Sequence, residues 1–387
     1  MFIAVTCALL VVFCAILYWW GSSAFPWVRA HPRAVAGGAA AFVAVHLATR
    51  LIVIRWHSAP ADDVNTALDV VAMTFGIASL PIAVLRASTW LWSRRPSTAH
   101  SPSAIREAGA ITRRQAVERI GGIAMLGTSA AALGWGAARG RYEFEMTEVP
   151  VRIAGLPRAL DGYVIAQISD VHAGDHLDAR MMEGGFDLVR RARPDLIVVT
   201  GDLVDFDASC APAIARRIAD LPARDGITAI FGNHDYYAGA EEVGAAIRAA
   251  GIDLLVNDGK LVRAKDGGGF ALLGVDDRWA KRYGRPGPLL DRAIRSVRSE
   301  APRVLLSHQP LTVDDWPGRV ALQLSGHTHG GQINPGFRPT ELFLRYVAGL
   351  YQVGATSLYV NRGFGTVGPP SRIGAPPEVT KLVLVAA

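Results

Sequence analysis

The chain has 387 residues, of which 50% are hydrophobic and only 19% are charged. Of its three cysteines, Cys7 and Cys14 lie in the first apolar run and Cys210 stands alone far downstream, so no disulfide framework is implied. The formal charge of +6 would fit a nucleic acid or an anionic membrane. We expect no nucleic-acid partner, because many arginines lie between apolar runs and no basic stripe alternates with aromatic residues.

The apolar residues are concentrated in the first 140 positions, which indicates a membrane region before a folded domain. Each of four apolar stretches approaches the roughly 20 residues that a helix needs to cross a bilayer. A single stretch of this kind could be a buried core helix, but four in succession favour a membrane. The sequence therefore predicts about four transmembrane helices within residues 1–140, at about Met1–Trp20, Ala34–Ile54, Ala67–Trp92 with an interruption at Arg86, and Ile120–Ala138.

The orientation in the membrane is predicted from the positive charges, since short cytoplasmic loops retain Lys and Arg. The stretch from Arg86 to Arg119 is arginine-rich and contains only two acidic residues, Glu107 and Glu118. Placing it in the cytoplasm makes the chain a multi-pass cell-membrane protein whose folded domain, residues 141–387, is extracytoplasmic. The arginines are Arg86, Arg94, Arg95, Arg106, Arg113, Arg114 and Arg119.

Thr112-Arg113-Arg114, directly before the fourth apolar stretch, resembles a twin-arginine export signal. Ala116 and Val117 replace the usual bulky apolar pair, so plain stop-transfer charge is the alternative interpretation. Both interpretations leave the downstream domain outside the cytoplasm.

From about Tyr142 the pattern changes to short buried strands separated by helices and turns, which predicts an α/β fold. Helices are expected at Leu177–Arg193, Ala211–Leu221 and Ala238–Ala250. Strands are expected at Tyr163–Ile168, Leu196–Val199, Ile227–Phe231, Phe270–Val275, Val304–Leu306, Ala321–Leu324, Ser357–Val360 and Val379–Val385.

Five groups of Asp, Asn and His follow predicted strands, where α/β sheets place their functional sites. Any one of these residues alone could be a helix cap, a turn residue or a satisfied hydrogen-bonding group. Together they require a common partner, and imidazole, carboxylate and amide donors suit two divalent ions such as Mn, Fe or Zn. The groups are Asp170-Val-His172, Gly201-Asp202-Leu-Val-Asp205, Gly232-Asn233-His234-Asp235, Ser307-His308 and Gly326-His327-Thr-His329.

In order and in kind, these groups resemble those of the calcineurin-like metallophosphoesterase superfamily, over about Val151–Ala387. Leu324–Ile333, Tyr346–Tyr351 and Leu358–Gly365 are similar to its bacterial membrane-linked phosphodiesterase branch. The resemblance implies a four-layer α/β/β/α sandwich, here preceded by an N-terminal transmembrane helical region. It also implies a catalytic domain over residues 141–387.

The resemblance further implies two metal sites that share Asp202. One ion would be held by Asp170, His172, Asp202 and His329, and the other by Asp202, Asn233, His308 and His327. His234, oriented by Asp205, would be the catalytic acid at the leaving group, which is a reasonable role for an imidazole held by a carboxylate. Two ions could supply a hydroxide and neutralise the phosphoryl oxygens during attack.

The expected function is metal-dependent hydrolysis of a phosphomonoester, phosphodiester or pyrophosphate in a phosphorylated small molecule or lipid-linked substrate. Relatives in this branch resemble UDP-2,3-diacylglucosamine pyrophosphatases of lipid A synthesis. That nucleotide-lipid is made on the cytoplasmic side, so either the substrate differs or the predicted orientation is wrong. The alternative function is a membrane-anchored ligand-binding or sensory protein without turnover.

Four further residues and one glycine run have less definite roles. Asp235 and Gln332 could support metal ligands, or could lie at the surface or in turns. Arg362 and Arg372 could contact a substrate phosphate, although packing roles are expected. Gly267-Gly268-Gly269 is expected to form a hairpin turn, because no Gly-Lys-Ser or Gly-Lys-Thr follows it.

Overall fold

A computed structural model of the chain describes residues 2–56, 59–94, 111–174, 179–264 and 267–387. Its contacts divide the chain into two units, Met1–Trp135 and Gly136–Ala387.

The N-terminal unit is helical throughout most of its described residues. Among the described residues, three segments that lie or begin in this unit are long and apolar enough, by length and composition, to cross a membrane: Cys7–Ala24, Ala67–Ser93 and Arg113–Tyr142. The predicted apolar stretch Ala34–Ile54 is also helical, but does not appear among these candidates in the part of the chain described. The helices are α1 (Phe2–Ala24), α2 (Pro26–Ala30), α3 (Pro32–Trp56), α4 (Ala59–Ser93) and α5 (Arg113–Ala138).

Arg86, which interrupts the third apolar stretch, lies within α4 rather than in a loop. Its Nη1 donates to Oε1 of Glu118 on α5 at 3.0 Å, and Nε of Arg114 donates to the same oxygen at 2.8 Å. Glu118 is fully buried, so this group satisfies charges that would otherwise be costly in an apolar helix pair. Arg95, Arg106 and Glu107 lie outside the described residues, and the orientation of the helices stays a prediction.

The C-terminal unit contains two six-stranded mixed sheets. The first sheet is built from β1 (Glu145–Ile153), β2 (Tyr163–Ile168), β3 (Leu196–Thr200), β4 (Ile227–Ile230), β5 (Asp253–Leu254) and β12 (Glu378–Ala386). The second is built from β6 (Asp258–Arg263), β7 (Gly269–Gly274), β8 (Arg303–Leu306), β9 (Leu322–Ser325), β10 (Gly349–Val353) and β11 (Thr356–Val360). The strand order is β1-β12-β2-β3-β4-β5 in the first sheet and β10-β11-β9-β8-β7-β6 in the second.

The two sheets pack face to face, and Ile165 of the first sheet shares one buried apolar cluster with Leu272 and Leu306 of the second. Three helices cover the other face of the first sheet: α6 (Ala179–Ala192), α7 (Ala211–Ala219) and α9 (Ala240–Ala249). Helix α10 (Leu290–Val297) packs on the second sheet. This arrangement confirms the predicted α/β/β/α sandwich.

All eight predicted strands are present, and the described residues contain four others that were not predicted. β1, β6 and β10 are edge strands with exposed or half-buried positions, so they lack a continuous apolar run. β5 has only two residues. The antiparallel pairing of β6 with β7 confirms the hairpin at the glycine run, in which Gly267 has a φ of 91°.

The predicted helices are also present, with shorter bounds. Leu177 and Asp178, at the predicted start of α6, lie outside the described residues. A short helix, α8 (Asn233–Ala238), precedes α9 and begins inside the third group of polar residues.

Candidate metal centre

The five polar groups converge because they follow the carboxyl ends of parallel strands in both sheets. β2, β3 and β4 run parallel in the first sheet and lead to Asp170, Asp202 and Asn233. β8 and β9 run parallel in the second sheet and lead to His308 and His327. Facing sheets therefore bring donors as distant in sequence as His172 and His329, 157 positions apart, into contact.

The backbone at five of these residues adopts the left-handed region, with φ between 48° and 73°. Non-glycine residues rarely adopt this conformation, and each instance costs on the order of 1 kcal/mol or more. The chain turns sharply after each strand and directs the polar side chains to a common point. The residues are Asp170, His172, Asp202, His327 and His329.

The first donor group contains Asp170, His172 and His329. Nε2 of His329 lies 3.0 Å from Nε2 of His172 and 3.4 Å from Oδ1 of Asp170. The backbone N–H of His327 donates to both oxygens of Asp170 at 2.9 and 3.0 Å, and the Ser169 hydroxyl donates to Oδ2 at 2.5 Å. These bonds hold the fully buried carboxylate toward the two imidazoles.

The second donor group contains Asp202, His308 and His327, with Asn233 beside them. Nε2 of His308 lies 3.1 Å from Oδ2 of Asp202, 3.2 Å from Oδ1 of Asn233 and 3.3 Å from Nδ1 of His327. Nδ1 of His308 contacts the Thr200 carbonyl at 2.8 Å. That contact orients the ring so that Nε2 faces the other donors.

Asp202 lies between the two groups. Its Oδ2 is 3.6 Å from Nε2 of His172 in the first group and 3.1 Å from Nε2 of His308 in the second. Its other oxygen accepts a hydrogen bond from the backbone N–H of His234 at 2.8 Å. One carboxylate therefore contacts both donor groups.

Asp205 joins His172 to His234. Oδ1 of Asp205 lies 2.8 Å from Nδ1 of His234 and 3.3 Å from Nδ1 of His172. The rings of His172 and His234 meet edge to face at 4.6 Å between centroids. Since Nδ1 of His234 is held by the carboxylate, its Nε2 is the atom left to act on a bound molecule.

The charged groups of this centre shift one another's pKa values. Burial raises the pKa of Asp202, but the charge and hydrogen bond of His308 outweigh burial and leave that pKa well below its usual value. Burial and the charge of His308 lower the pKa of His327 to about 3. Burial and the positive charges of His172 and Arg372 likewise lower the pKa of His329 well below its ordinary value. His327 and His329 are therefore neutral near pH 7, which is the form that binds metals.

Burial lowers the pKa of His234, but its hydrogen bond to Asp205 and the charge of Asp202 more than compensate, so the net shift is upward. Burial raises the pKa of Asp205, but its hydrogen bonds to His172 and His234 outweigh burial, so the net shift is downward. Both shifts favour an ionised carboxylate beside a protonated imidazole, which is the arrangement that a general acid requires.

Asp235 supports the loop that carries Asp202. Its two fully buried oxygens accept hydrogen bonds from the backbone N–H groups of Gly232, Asp202, Leu203 and Val204, at 2.8 to 3.3 Å. Burial and the neighbouring charge of Asp202 raise the pKa of Asp235 to about 7. Of the roles open to Asp235 on sequence grounds, the supporting role is the one observed.

The side chains of Gln332, Arg362 and Arg372 make contacts within the protein that hold the structure. Gln332 forms hydrogen bonds with the backbone of Val367 and Pro369. Arg362 pairs with Glu378 at 3.0 Å. Arg372 is almost completely buried, donates to several backbone carbonyls, and places Nη2 3.3 Å from Nδ1 of His329.

An aromatic wall beside His234 was not predicted. Phe206 and Tyr237 place their ring centroids 5.0 and 4.9 Å from that of His234, and Trp279 meets Tyr237 edge to face at 5.3 Å. Phe206 is 60% exposed. Its position directly after Asp205 was the only signal in the sequence.

The donor set fits divalent transition metals. Nε2 atoms of His172 and His329 face each other at 3.0 Å, and two imidazole nitrogens of the second group lie 3.3 Å apart. Among the described residues, the ion-pair partners of buried Asp170 and Asp202 are imidazoles. Buried carboxylates need compensating charge, and cations bound by nitrogen and oxygen donors supply it.

Comparisons with known proteins agree with this chemistry. The family model of calcineurin-like phosphoesterases matches residues 163–331. The uncharacterized metallophosphoesterase YkuE of Bacillus subtilis is 32% identical over 286 residues, which cover 71% of this chain and 98% of that protein.

A transmembrane protein with metallophosphoesterase domain from Bos taurus is 33% identical over 254 residues, which cover 62% of this chain and 57% of that protein. The chain thus matches less than two thirds of the bovine relative. The crystal structure of a 5'-nucleotidase precursor from Thermus thermophilus aligns with 58% of this chain and 54% of that protein, at 14% sequence identity. Its TM-score of 0.35 carries no argument about this chain. The family match, the coverage of YkuE and the buried His and Asp groups establish that the chain belongs to the calcineurin-like metallophosphoesterases, which are phosphoesterase hydrolases.

Proposed function

We propose that this chain is a membrane-anchored hydrolase of phosphomonoesters, phosphodiesters or pyrophosphates that uses two divalent metal ions. The observation that supports it best is the position of Asp202, whose Oδ2 lies 3.6 Å from His172 and 3.1 Å from His308. A carboxylate in contact with both donor groups is suited to bridge two cations.

Asp170, His172, Asp202 and His329 would hold one ion, and Asp202, Asn233, His308 and His327 the other. Bound there, Mn, Fe, Zn or similar ions supply an activated water and neutralise charge on the phosphoryl oxygens. The chain positions these donors through the strained turns after its strands and through the bonds to Asp170 and Asp202.

His234 donates a proton to the leaving-group oxygen. Asp205 holds Nδ1 of this imidazole at 2.8 Å and favours its protonated form, so the proton on Nε2 is the one transferred. The aromatic wall of Phe206, Tyr237 and Trp279 packs beside this imidazole and offers an apolar surface next to the leaving group.

Residues 1–140 anchor the enzyme as a multi-pass membrane region, and residues 141–387 form the catalytic domain on the extracytoplasmic side. Three candidate spans and a relative described as a transmembrane protein support the anchor. The substrate is a phosphorylated small molecule or a lipid-linked phosphate. The names of the relatives specify no substrate, so UDP-2,3-diacylglucosamine and a role in lipid A synthesis receive no support from them.

The test is hydrolysis of bis-p-nitrophenyl phosphate and p-nitrophenyl phosphate by the full chain in detergent, with Mn and after chelation. Asp202→Ala and His234→Ala are compared with Asp220→Ala, which replaces an exposed aspartate at the end of α7. We expect metal-dependent turnover that the first two variants lose and the control retains.

The alternative is a ligand-binding or sensory protein without turnover. A folded, Mn-loaded chain that hydrolyses neither ester, nor a panel of nucleotide and lipid phosphates, would contradict the proposed enzyme. Turnover unaffected by Asp202→Ala would contradict the proposed centre.

A further inference from the structure

A short loop beside the metal centre exposes large apolar side chains. In residues 335–346, here termed the apolar loop, Phe337, Leu342 and Phe343 are 62%, 75% and 84% exposed. Leu342 and Phe343 are consecutive and lie at the end of a single 3-10 turn, Pro339–Leu342. Isolated apolar residues are common on surfaces, but three in one loop mark an interaction site.

Both ends of the apolar loop are fastened to the segment that carries His327 and His329. Before the loop, the Asn334 side-chain amide donates to the Gly330 carbonyl at 2.9 Å. After it, the Val347 carbonyl accepts the Thr328 hydroxyl at 2.5 Å. Any surface that binds this loop is therefore held close to the metal centre.

The features of the loop favour a bilayer surface as its partner. A turn of this size cannot supply the roughly 800 Å² per partner that a stable protein interface needs. Arg338 and Arg345 flank Leu342 and Phe343. Within the loop these two arginines outnumber the single acidic residue, Glu341, which pairs with Arg338 at 3.2 Å, while Arg345 pairs with Asp314 outside the loop at 3.5 Å. Aromatic and aliphatic side chains flanked by arginine suit the bilayer interface, and the candidate spans bring the chain to a membrane.

We propose that the apolar loop inserts Leu342 and Phe343 into a bilayer surface, so that the adjacent centre acts on phosphoesters in the lipid headgroup layer. The docking rests on the loop alone. The substrate class rests in addition on the phosphoesterase activity proposed above.

Docking is tested with the full chain reconstituted in vesicles of equal parts phosphatidylcholine and phosphatidylglycerol. Cys7, Cys14 and Cys210 are replaced by serine, and an environment-sensitive fluorophore is attached through Phe343→Cys. The matched control is Glu300→Cys, whose side chain is fully exposed in the same unit.

We expect the fluorophore at position 343 to shift to the blue and to be quenched by nitroxide-labelled lipid, while that at 300 does neither. Equal solvent exposure at both positions would overturn the proposal. So would a shift at 343 without lipid quenching that grows with protein concentration, because that result identifies a second copy of the chain as the partner.

The substrate class is tested with hexadecyl p-nitrophenyl phosphate in the vesicles and water-soluble bis-p-nitrophenyl phosphate. In each, water replaces p-nitrophenolate on phosphorus. Phe343→Asp should lower hydrolysis of the embedded ester roughly tenfold, because burial of this side chain accounts for about a tenfold difference in partitioning. It should leave hydrolysis of the soluble ester unchanged. Phe343→Leu, which keeps an apolar side chain, should retain hydrolysis of both esters.

Equal effects of Phe343→Asp on the two esters would overturn the lipid substrate class. If the unsubstituted chain hydrolyses neither ester, the proposed enzyme fails, while the fluorescence result still decides whether the loop docks.

Discussion

Gly326 lies directly before His327 and packs against the carboxylate of Asp170. A Cβ atom at this position would come within 3.0 Å of Asp170 Oδ2 and of the Ser169 side chain, a separation that real Cβ atoms essentially never show. Its φ lies outside the left-handed region, so Gly326→Ala tests a steric requirement alone.

In Gly326→Ala the carboxylate of Asp170 must retreat to ordinary contact, beyond 3.4 Å. The retreat strains the two hydrogen bonds from His327 N–H and separates Oδ1 from Nε2 of His329, now 3.4 Å away. A misplacement on the order of 1 Å lowers a catalytic rate roughly 10²-fold. Disturbed ligand support lowers metal affinity by about 10- to 100-fold.

The assay is hydrolysis of bis-p-nitrophenyl phosphate by the full chain across a Mn titration. Gly174→Ala is the matched control, because its Cβ would make ordinary contact with Asp205 at 3.6 Å. We expect the control to bind Mn and turn over normally. Normal Mn affinity and rate in Gly326→Ala would refute the assignment of Asp170 to the centre.

Three further predictions concern charge. Asp205→Asn removes the partner that raises the pKa of His234. The protonated form of His234 is then lost at lower pH, so the alkaline loss of kcat should move to lower pH. An unchanged pH profile would contradict this role of Asp205. Asp235→Asn turns an amide group toward two buried backbone N–H donors and should destabilise the fold by about 2 to 6 kcal/mol and weaken Mn binding, as measured by chemical unfolding and Mn titration. Glu118→Ala leaves Arg86 and Arg114 without their buried partner and should destabilise the N-terminal unit by about 3 to 5 kcal/mol. A thermal scan in detergent measures this loss, and an unchanged midpoint would contradict the structural role of these ion pairs.

Much of the fold could be predicted because its central strands are continuous apolar runs. Tyr163–Ile168 was predicted at its observed bounds, since a strand buried on both faces contains little but apolar residues. The edge strand Asp258–Arg263 was missed because its residues are mostly polar and partly exposed. Its place in the sheet depends on pairing with β7, which a local pattern does not encode.

The sequence by itself determined the kinds of donors and their order after the strands, because ligand chemistry and the turns that present it are local properties. Only the tertiary structure decided that Asp202 contacts both donor groups and that Asp235 supports its loop. It alone also placed Phe206 beside His234 and the apolar loop beside the centre. Asp202 contacts both donor groups only because the two sheets pack face to face and bring their strand ends together. The other relations depend on how separate turns pack against one another around the centre, which a local sequence pattern does not encode.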